Sequence, residues 1–529
     1  MLCWWRRFGF LVLAAGAVWA QQVTPMPAVV PNEDPWERWV KQYYQVLQVE
    51  KSDVVRLEGN LAKPHPRLNM VMEIVGEDEK FVYLRNLPLE DPRSAGHKAW
   101  LVRQGREAQS RMREEAFAKL YVIPWEGIEA PRYVEKLRFV PEDNGLPSSG
   151  RWQIGFDAAD CNGDGLADLV LPPARMGEAH PWIFLRQRDG WKSWETVRWP
   201  KEVSFDYGDV AVEDFDGDGH LDLALACHFK SNYVLYGDGR GGFLRWVELP
   251  RAHQSVTSRA LAVADFNRDG RQDLVALAEL DIDLNTKQGI TSGLVQVFLN
   301  TKEGWKLSPA AFPTNIFGDQ VAVGDFNADG APDILVASHK LGNQNFIFLN
   351  DGKGEGFSPY ASNAFPAQIF VFGVGAGKVG GSADGDTAFL AVYQSVRPKE
   401  GEHLFAHAIL GYTLTDAEGK LLSEPKRTLI YADQNPATDT FRSLAVADVD
   451  ADGRNDVVAA RTSGKILVLL QMPDGGFALE KTALGIPGAS PSTVRVYRWG
   501  KDSYIVANFA NDGQVPGGIH VWRVAKATR

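Results

Sequence analysis

Downstream of residue 130 the chain alternates apolar and polar positions with a period of two, in short runs broken by Gly, Asp and Pro, which predicts β-strands and tight turns. The clearest unit spans residues 212–225: an alternating run, the acidic turn Asp214-Phe215-Asp216-Gly217-Asp218-Gly219-His220-Leu221-Asp222, then a second apolar run. Residues 263–275 repeat it, and matching turns begin at Asp160, Asp325 and Asp448, each reading D-x-[DN]-x-D-G-x-x-D. A third run follows each turn, as at Tyr233–Tyr236, Val295–Leu299 and Phe346–Leu349, and leads to a Gly-rich turn and an aromatic: Trp191, Phe243, Trp305, Phe357 and Phe477. A fourth short run closes on Pro200, Pro250 or Pro313. Four short strands per repeated unit is the sequence form of a propeller blade.

Turn starts at 160, 214, 265, 325 and 448 leave a gap of 123 residues between the last two, room for two units. The gap holds a degenerate copy, Ile369–Val374 and Ala388–Tyr393 around a turn at 380–386, and a second degenerate copy, Val494–Tyr497 and Tyr504–Ala507, follows the turn at Asp448. Five complete and two degenerate units predict seven blades. The last unit ends at its third run, 518–524, while Tyr133–Pro141 has the fourth-run pattern and precedes the first turn. The strand 133–141 is therefore expected to complete the last blade and close the ring, which removes two exposed sheet edges. The fold expected is all-β, a seven-bladed β-propeller over 131–529, preceded by a small α+β N-terminal region over 21–130. In that region Trp36, Trp39, Val40, Tyr43 and Leu47 are spaced for one helix face, Met70 to Leu84 alternates like a hairpin, and Arg106 to Leu120 suits a helix.

Residues 1–20 read as a cleaved signal peptide: Arg6 and Arg7, an apolar run from Phe8 to Trp19, and Ala20 before Gln21. The apolar run is too short to span a bilayer. The expectation is a soluble secreted or periplasmic protein with no membrane span in the mature chain. The formal charge is −11, and cleavage before Gln21, which removes two arginines, takes it to −13. That sign argues against nucleic-acid and anionic-membrane partners, and no nucleic acid is expected. The mature chain keeps only Cys161 and Cys227, which excludes a small disulfide-stapled scaffold, and two buried thiols are expected.

Much of the negative charge lies in the acidic turns. Positions one, three and five supply side-chain oxygens, position seven can offer its carbonyl, position nine adds a carboxylate, and Gly at position six permits the sharp turn. Hard oxygen donors in that number suit calcium better than magnesium. An EF-hand would need Glu at position twelve, which here is Leu171, Leu225, Ala276, Val336 or Ala459. The bland alternative is a solvated acidic turn, which leaves clustered carboxylates repelling one another.

Acidic turn, strand, Gly-rich turn and aromatic together resemble FG-GAP/VCBS repeats, the blade type of integrin α-chain propellers, over residues 133 to 529. The resemblance implies that each turn joins the first two strands of a blade and holds calcium, about five ions in all with a structural role. Carried over, the ligands are Asp160, Asn162, Asp164 and Asp168; Asp214, Asp216, Asp218 and Asp222; Asp265, Asn267, Asp269 and Asp273; Asp325, Asn327, Asp329 and Asp333; Asp448, Asp450, Asp452 and Asp456. Five such ions would take the mature charge from −13 to −3. The turn at 380–386 has the wrong spacing and reads as a plain turn.

Binding usually sits on variable loops of a rigid scaffold, here those on the face away from the acidic turns, including 279–293 and 394–406. Candidate ligand-binding residues there are Tyr207, His228, Lys230, Arg259, Phe317, His339, Asn343, Asn345 and Arg442; for each taken singly, a solvated or packing role is the default reading. His228 and His339 occupy equivalent positions of two units, which repeat inheritance explains without a shared site. No nucleophile, zinc or phosphate-loop motif occurs and no two carboxylates can be paired as acid and base, so no catalytic residue is assigned. The function expected is non-enzymatic recognition of a glycan or protein. The alternatives are a secreted polysaccharide lyase or hydrolase, and an assembly role in which the N-terminal region docks a partner.

Overall fold

The computed structural model describes residues 47–86, apart from 52–53, 58, 64–71, 78 and 80, and residues 132–527, apart from 176–179, 282, 284–287, 291–292, 314–315, 340–344, 361–364, 366–368, 380–384, 395–406, 434–439, 487–488 and 511–516. The chain divides into two compact units, one built on residues up to Trp125 and one on most of the rest.

In the first unit one sheet of five strands is described: Leu47–Glu50, Val55–Arg56, Leu61–Lys63, Met72–Glu77 and Phe81–Asn86. The hairpin expected between Met70 and Leu84 is the antiparallel pair Met72–Glu77 and Phe81–Asn86. Leu47, placed by its spacing on a helix face, instead opens a strand that pairs with Phe81–Asn86, Leu47 opposite Leu84. Cross-strand pairing with an apolar neighbour overrides the local period here. Trp36, Trp39, Val40, Tyr43 and the helix expected over 106–120 lie outside the described residues, as do the signal segment 1–20 and the rest of 21–46.

The second unit is all-β among its described residues and is made of successive antiparallel sheets, an arrangement consistent with a propeller. Sheet 1 contains Asp157–Ala159, Asp168–Leu171, Trp182–Gln187 and Gly190–Ser193; sheet 2, Gly208–Glu213, Asp222–Cys227, Tyr233–Tyr236 and Arg245–Glu248. Sheet 3 contains Ser258–Ala264, Asp273–Ala278, Val295–Thr301 and Gly304–Leu307; sheet 4, Val321–Gly324, Asp333–Val336, Ile347–Asn350 and Phe357–Pro359. Sheet 5 contains Ile369–Gly377, Thr387–Gln394, His407–Thr415 and Leu421–Asp433; sheet 6, Phe441–Ala447, Asp456–Arg461, Ile466–Gln471 and Phe477–Glu480; sheet 7, Ser490–Trp499, Asp502–Ala510 and Gly518–Lys526.

The stretch 133–141, expected as one strand, is two. Arg132–Val134 runs parallel to Phe477–Glu480 as a fifth strand of sheet 6, and Leu137–Pro141 pairs antiparallel with Gly518–Lys526 as the fourth strand of sheet 7. The break falls at Glu135 and Lys136 because Glu480 Oε2 accepts the backbone N–H groups of Lys136, at 2.8 Å, and of Leu137, at 3.1 Å. A carboxylate takes the donors that a continuous ladder would have used.

In the five sheets with acidic turns the second strands are buried along their whole length, and in sheet 2 the buried Asp222–Cys227 contrasts with the half-exposed fourth strand Arg245–Glu248. A strand covered on both faces needs apolar residues at every position, and small ones where neighbouring sheets converge. Ala224, Ala226, Ala276 and Ala278 supply them. The core therefore lies between sheets: one apolar layer joins sheets 1 and 2 and another sheets 2 and 3, and Phe156, Leu169 and Phe184 of sheet 1 pack with Tyr504, Val506 and Val521 of sheet 7. Cys227 is buried, Cys161 is half-buried, and both are free thiols. Burial pushes the Cys227 thiol up to about 12.

The seam between sheets 7 and 1 centres on Arg186. Its guanidinium lies 4.5 Å from the ring centre of Tyr504, 4.7 Å from Trp499 and 5.6 Å from Trp191. It also donates to Glu142 Oε2 at 3.0 Å and to the Tyr504 hydroxyl at 2.8 Å, while Glu142 Oε1 accepts from Arg523 Nε at 2.6 Å. Cation–aromatic contacts and charge-assisted hydrogen bonds of this kind predict that Arg186→Ala lowers stability by about 2–3 kcal/mol. Chemical denaturation checks it, and a loss below about 0.5 kcal/mol, the size of an ordinary surface change, would show that the seam does not depend on this residue.

Candidate functional site

The five acidic turns share one hydrogen-bond pattern. The first Asp accepts the N–H groups of the fifth and sixth turn residues on its two oxygens, and Asp214 also accepts that of Gly217 at 2.8 Å. Asp164 and Gly165 donate to Asp160 at 3.0 and 2.8 Å, Asp218 and Gly219 to Asp214 at 3.1 and 2.8 Å, and Asp269 and Gly270 to Asp265 at 3.0 and 2.8 Å. Asp329 and Gly330 do so to Asp325, and Asp452 and Gly453 to Asp448. The fifth-position Asp accepts from the N–H two residues on, as His220 donates to Asp218 at 2.9 Å. Position six is a left-handed glycine throughout, Gly219 having φ 86°, and position four is left-handed too. At position four Arg268, Ala328 and Ala451 have φ of 58°, 60° and 59°, a conformation disfavoured for residues with a Cβ. Backbone strain in three repeats of one turn marks a geometry that the rest of the turn enforces.

The ninth-position aspartates Asp168, Asp222, Asp273, Asp333 and Asp456 are fully buried. In each, Oδ2 accepts the N–H of the second turn residue, as from Phe215 at 2.9 Å, and Oδ1 accepts an N–H at or beside the end of the third strand, as from Gly237 at 2.8 Å. Asn300, Asn350, Gln471 and Arg186 provide the second donor in the other sheets. One carboxylate thus fixes the turn, the second strand and the third strand together. Burial raises these carboxyls, Asp168 to about 6 and the other four to about 7, against the pull of the backbone donors.

The turns also latch neighbouring sheets. Phe215 of sheet 2 meets Trp305 of sheet 3 edge-on at 5.6 Å, and Phe266 of sheet 3 meets Phe357 of sheet 4 at 5.7 Å. Asn300 Nδ2 donates to the Phe215 carbonyl at 2.6 Å, and Asn350 Nδ2 to that of Phe266 at 2.8 Å.

The donor chemistry fits a divalent cation. Oxygens of Asp214, Asp216 and Asp218, and of Asp448, Asp450 and Asp456, converge within 4.8 Å of one another. Asp450 Oδ1 is buried with no hydrogen-bond partner among the described residues. Burial and then the charge of Asp452 raise its carboxyl, with Lys136 as the opposing influence. In the three turns with Asn at position three, the amide donates to the fifth-position Asp, as Asn327 to Asp329 at 2.8 Å, so those carboxylates have an internal partner.

The first strands of all seven sheets line two adjoining cavities of about 300 and 280 Å3 that share Asp157, Gln320, Val321 and Arg495. Side chains link one first strand to the next. Asp157 accepts from Val212 N at 2.9 Å, Asp209 from Leu261 N at 3.1 Å, and Gln320 Oε1 from Val374 N at 3.3 Å and Leu444 N at 3.2 Å. Ser443 accepts from Val494 N at 3.2 Å, and Ser492 from Ile154 N at 2.7 Å. Arg495 donates to both oxygens of Asp209, at 2.9 and 3.2 Å.

Where the first strands begin, at their ends away from the acidic turns, the structure brings together five of the predicted ligand residues: Tyr207, His228, Arg259, His339 and Arg442. They gather around Glu279 and Asp319, which sequence reasoning missed. Arg259 Nε lies 3.2 Å from Glu279 Oε2, and its Nη2 pairs with Asp319 Oδ1. His228 lies between Glu279 Oε2, at 3.3 Å, and Asp206 Oδ2, at 3.4 Å, and stacks on Tyr207 at 4.2 Å. Asp319 stays below the usual carboxylate range despite burial, because Arg259, His339, Arg442 and His228 all bear on it. His228 and His339, from sheets 2 and 4, thus act on one carboxylate. Burial pulls His339 down to about 4 and pushes Tyr207 up to about 12. Phe317 meets the His339 ring at 6.1 Å, while Lys230 is exposed. Asn345 is half-buried and Asn343 lies outside the described residues.

Residues 214–276 match the FG-GAP-like repeat and residues 317–346 the FG-GAP repeat, so three of the five acidic turns fall inside matched segments. The chain carries FG-GAP repeats. This FG-GAP protein is related to integrin α-chains: it is 35% identical to mouse integrin alpha-IIb over 189 residues, 30% of this chain and 17% of that one. It is 37% identical to human integrin alpha-7 over 102 residues, 18% of this chain and 8% of that one. To integrin alpha pat-2 of Caenorhabditis briggsae it is 27% identical over 179 residues, 28% and 14% of the two chains. The matches therefore span less than a fifth of each relative's length. Among solved structures, BBS1N in complex with ARL6DN is similar with a TM-score of 0.43 at 12% identity, covering 74% of this chain and 98% of that one.

Removing a buried acceptor strands two N–H groups. Asp222→Ala is expected to cost about 2–5 kcal/mol and Asp222→Asn less, since one acceptor remains. Denaturation in chelator checks this without a contribution from metal, and equal stability of both variants and the parent would refute it. The raised carboxyls set a pH dependence. Folded values of about 6 to 7 exceed the unfolded value of about 3.9. Their contribution in metal-free protein is full below pH ~4 and is lost as pH rises through 6 to 7. The melting temperature in chelator should be higher at pH 5 than at pH 8; the opposite order would contradict it.

Proposed function

We propose that the chain is an exported, closed, seven-bladed FG-GAP propeller over 131–529 whose five acidic turns hold about five structural calcium ions, and that its opposite face recognises a protein or glycan ligand. The observation that carries this reading is the shared bond pattern of the five turns, with the first and ninth carboxylates fixed by backbone amides and the ninth buried beneath them. Asp160, Asp214, Asp265, Asp325 and Asp448, with the third-, fifth- and ninth-position residues of each turn, would hold the ions. When bound, a divalent cation would neutralise carboxylates that otherwise repel and would stabilise the native state by mass action.

Closure is supported by the pairing of Leu137–Pro141 with Gly518–Lys526 and by the packing of sheet 7 on sheet 1. Export rests on the pattern of residues 1–20; among the described residues no helix is long and apolar enough to cross a membrane. Kinship with integrin α-chains supports a protein ligand.

Thermal unfolding of the chain from Gln21, in excess calcium and in chelator, with bound-metal analysis, tests the metal reading. A large calcium-dependent rise with close to five ions per chain is expected, and no shift with no bound metal would remove it. Binding to glycan and peptide arrays in calcium tests recognition; retention on neither would remove that part.

A further inference from the structure

The acidic turns fall into two classes by their third residue. Where it is Asn, the side chain has a partner inside the turn: Asn162 donates to Asp164 at 3.0 Å, Asn267 to Asp269 at 3.3 Å and Asn327 to Asp329 at 2.8 Å. Where it is Asp, an ionised carboxylate has no proton to donate. A cation from outside the turn sits on it instead. Asp216 Oδ2 pairs with Arg245 Nη2, and Asp450 Oδ2 lies 3.8 Å from Lys136 Nζ. In the Asn turns the pair of Arg268 with Asp329, at 3.5 Å, falls on the fifth residue. Among the described residues, the two Asp turns are also those in which three carboxylates converge within 4.8 Å.

The cation on the sheet 6 turn comes from the joint between the two ends of the unit. Lys136 lies at the break between Arg132–Val134 and Leu137–Pro141. Its backbone is held on both sides: the N–H donates to Glu480 at 2.8 Å, and the carbonyl accepts from Ala527 N at 2.8 Å. The ammonium is therefore placed at the turn by the joint itself. Arg498 of sheet 7 stands 3.5 Å from Asp448 Oδ2, and Arg454 pairs with Asp452.

An independent sign of a ligand falls on Asp450. Its side chain is only 8% exposed, and Oδ1 is buried with no hydrogen-bond partner among the described residues. Lys136 is too far from Oδ2 for a hydrogen bond and is itself 39% exposed. A buried carboxylate with one oxygen unused and a loose partner on the other is poorly compensated. A divalent ion among Asp448, Asp450 and Asp456 would serve it better.

We propose that Lys136 is a built-in counter-cation of the sheet 6 turn: it partly neutralises Asp450 while the turn is empty, a divalent ion displaces it, and it thereby sets how tightly this turn takes its ion. This rests on the calcium reading of the turns and goes beyond it by distinguishing one turn from the three with Asn. Ammonium and ion compete for one carboxylate and repel each other. The flexible four-carbon stem of a partly exposed Lys lets the charge swing into water when the ion enters.

The test compares the chain from Gln21 with K136Q, D450N and the double variant, and with K306Q as a control for lost charge, since Lys306 pairs with Glu303 outside the acidic turns. Melting is followed in chelator and in excess calcium, and bound calcium by equilibrium dialysis at graded free calcium. In chelator K136Q should melt below the parent, because Asp450 loses its counter-charge; in excess calcium it should melt no lower. About one ion per chain should enter K136Q at three- to tenfold lower free calcium, the others being unmoved. K306Q should match the parent, and in the D450N background K136Q should shift calcium uptake much less. Calcium uptake unchanged in K136Q would overturn the proposal, as would an equal loss of melting temperature in chelator and in calcium, the behaviour of a purely structural Lys. A shift of the same size in K306Q, or one undiminished by D450N, would also overturn it. A parent that binds no calcium would remove the calcium reading and this proposal with it, so the parent alone tells the two failures apart.

Discussion

A buried aspartate at the ninth position of each acidic turn is the constraint on which the second unit depends. Its two oxygens accept one N–H from the turn and one from the third strand, while its own backbone lies in the second strand. Removing the carboxylate from water is unfavourable, and the two amides compensate only in part, which is why its pKa rises. The turn cannot open without stranding both donors, and the third strand cannot slip without losing its anchor. Each of the five sheets with an acidic turn is thus fixed at that end by a group that is itself poised for a positive charge. A cation in the turn and a proton on the buried carboxyl are alternative ways of relieving the same electrostatic stress.

What holds one sheet is then passed to the next by different means at different radii. Near the cavity, side chains of one first strand accept backbone N–H groups of the next, from Asp157 to Val212 and onward to Ser492 and Ile154. Farther out, turn aromatics such as Phe215 lie against Trp305 of the following sheet, and Asn300 caps the Phe215 carbonyl. The inward links are polar because they border a cavity, and the outer ones combine aromatic contacts with a hydrogen bond that satisfies a buried carbonyl.

The acidic turns were legible in the sequence because their spacing is strict and repeats five times; the carboxylate pattern alone located every buried ninth-position Asp. Left-handed backbone at position four was not legible, since Arg268, Ala328 and Ala451 carry no local sign of it and only comparison with Gly163 and Gly217 at the same position could have raised it. The break within 133–141 escaped because its cause, Glu480, lies 344 residues away in sequence. The two carboxylates of the charged cluster escaped for a related reason. Glu279 and Asp319 are single residues on separate strands or loops, with no motif around them, and only the packing of sheets brings them to the predicted Tyr207, His228, Arg259, His339 and Arg442.

The pairing of Leu137–Pro141 with Gly518–Lys526 also governs the order in which the molecule can be finished. Arg523 and Glu142, which meet at this joint, are 381 residues apart. During synthesis the middle sheets can form from nearby segments as they emerge, whereas sheet 7 must wait until nearly all of the chain is available. Until then both partners present open edges, the state in which β-rich chains are most exposed to mispairing. The joint therefore closes a loop of 381 residues, a non-local contact of the kind that slows folding.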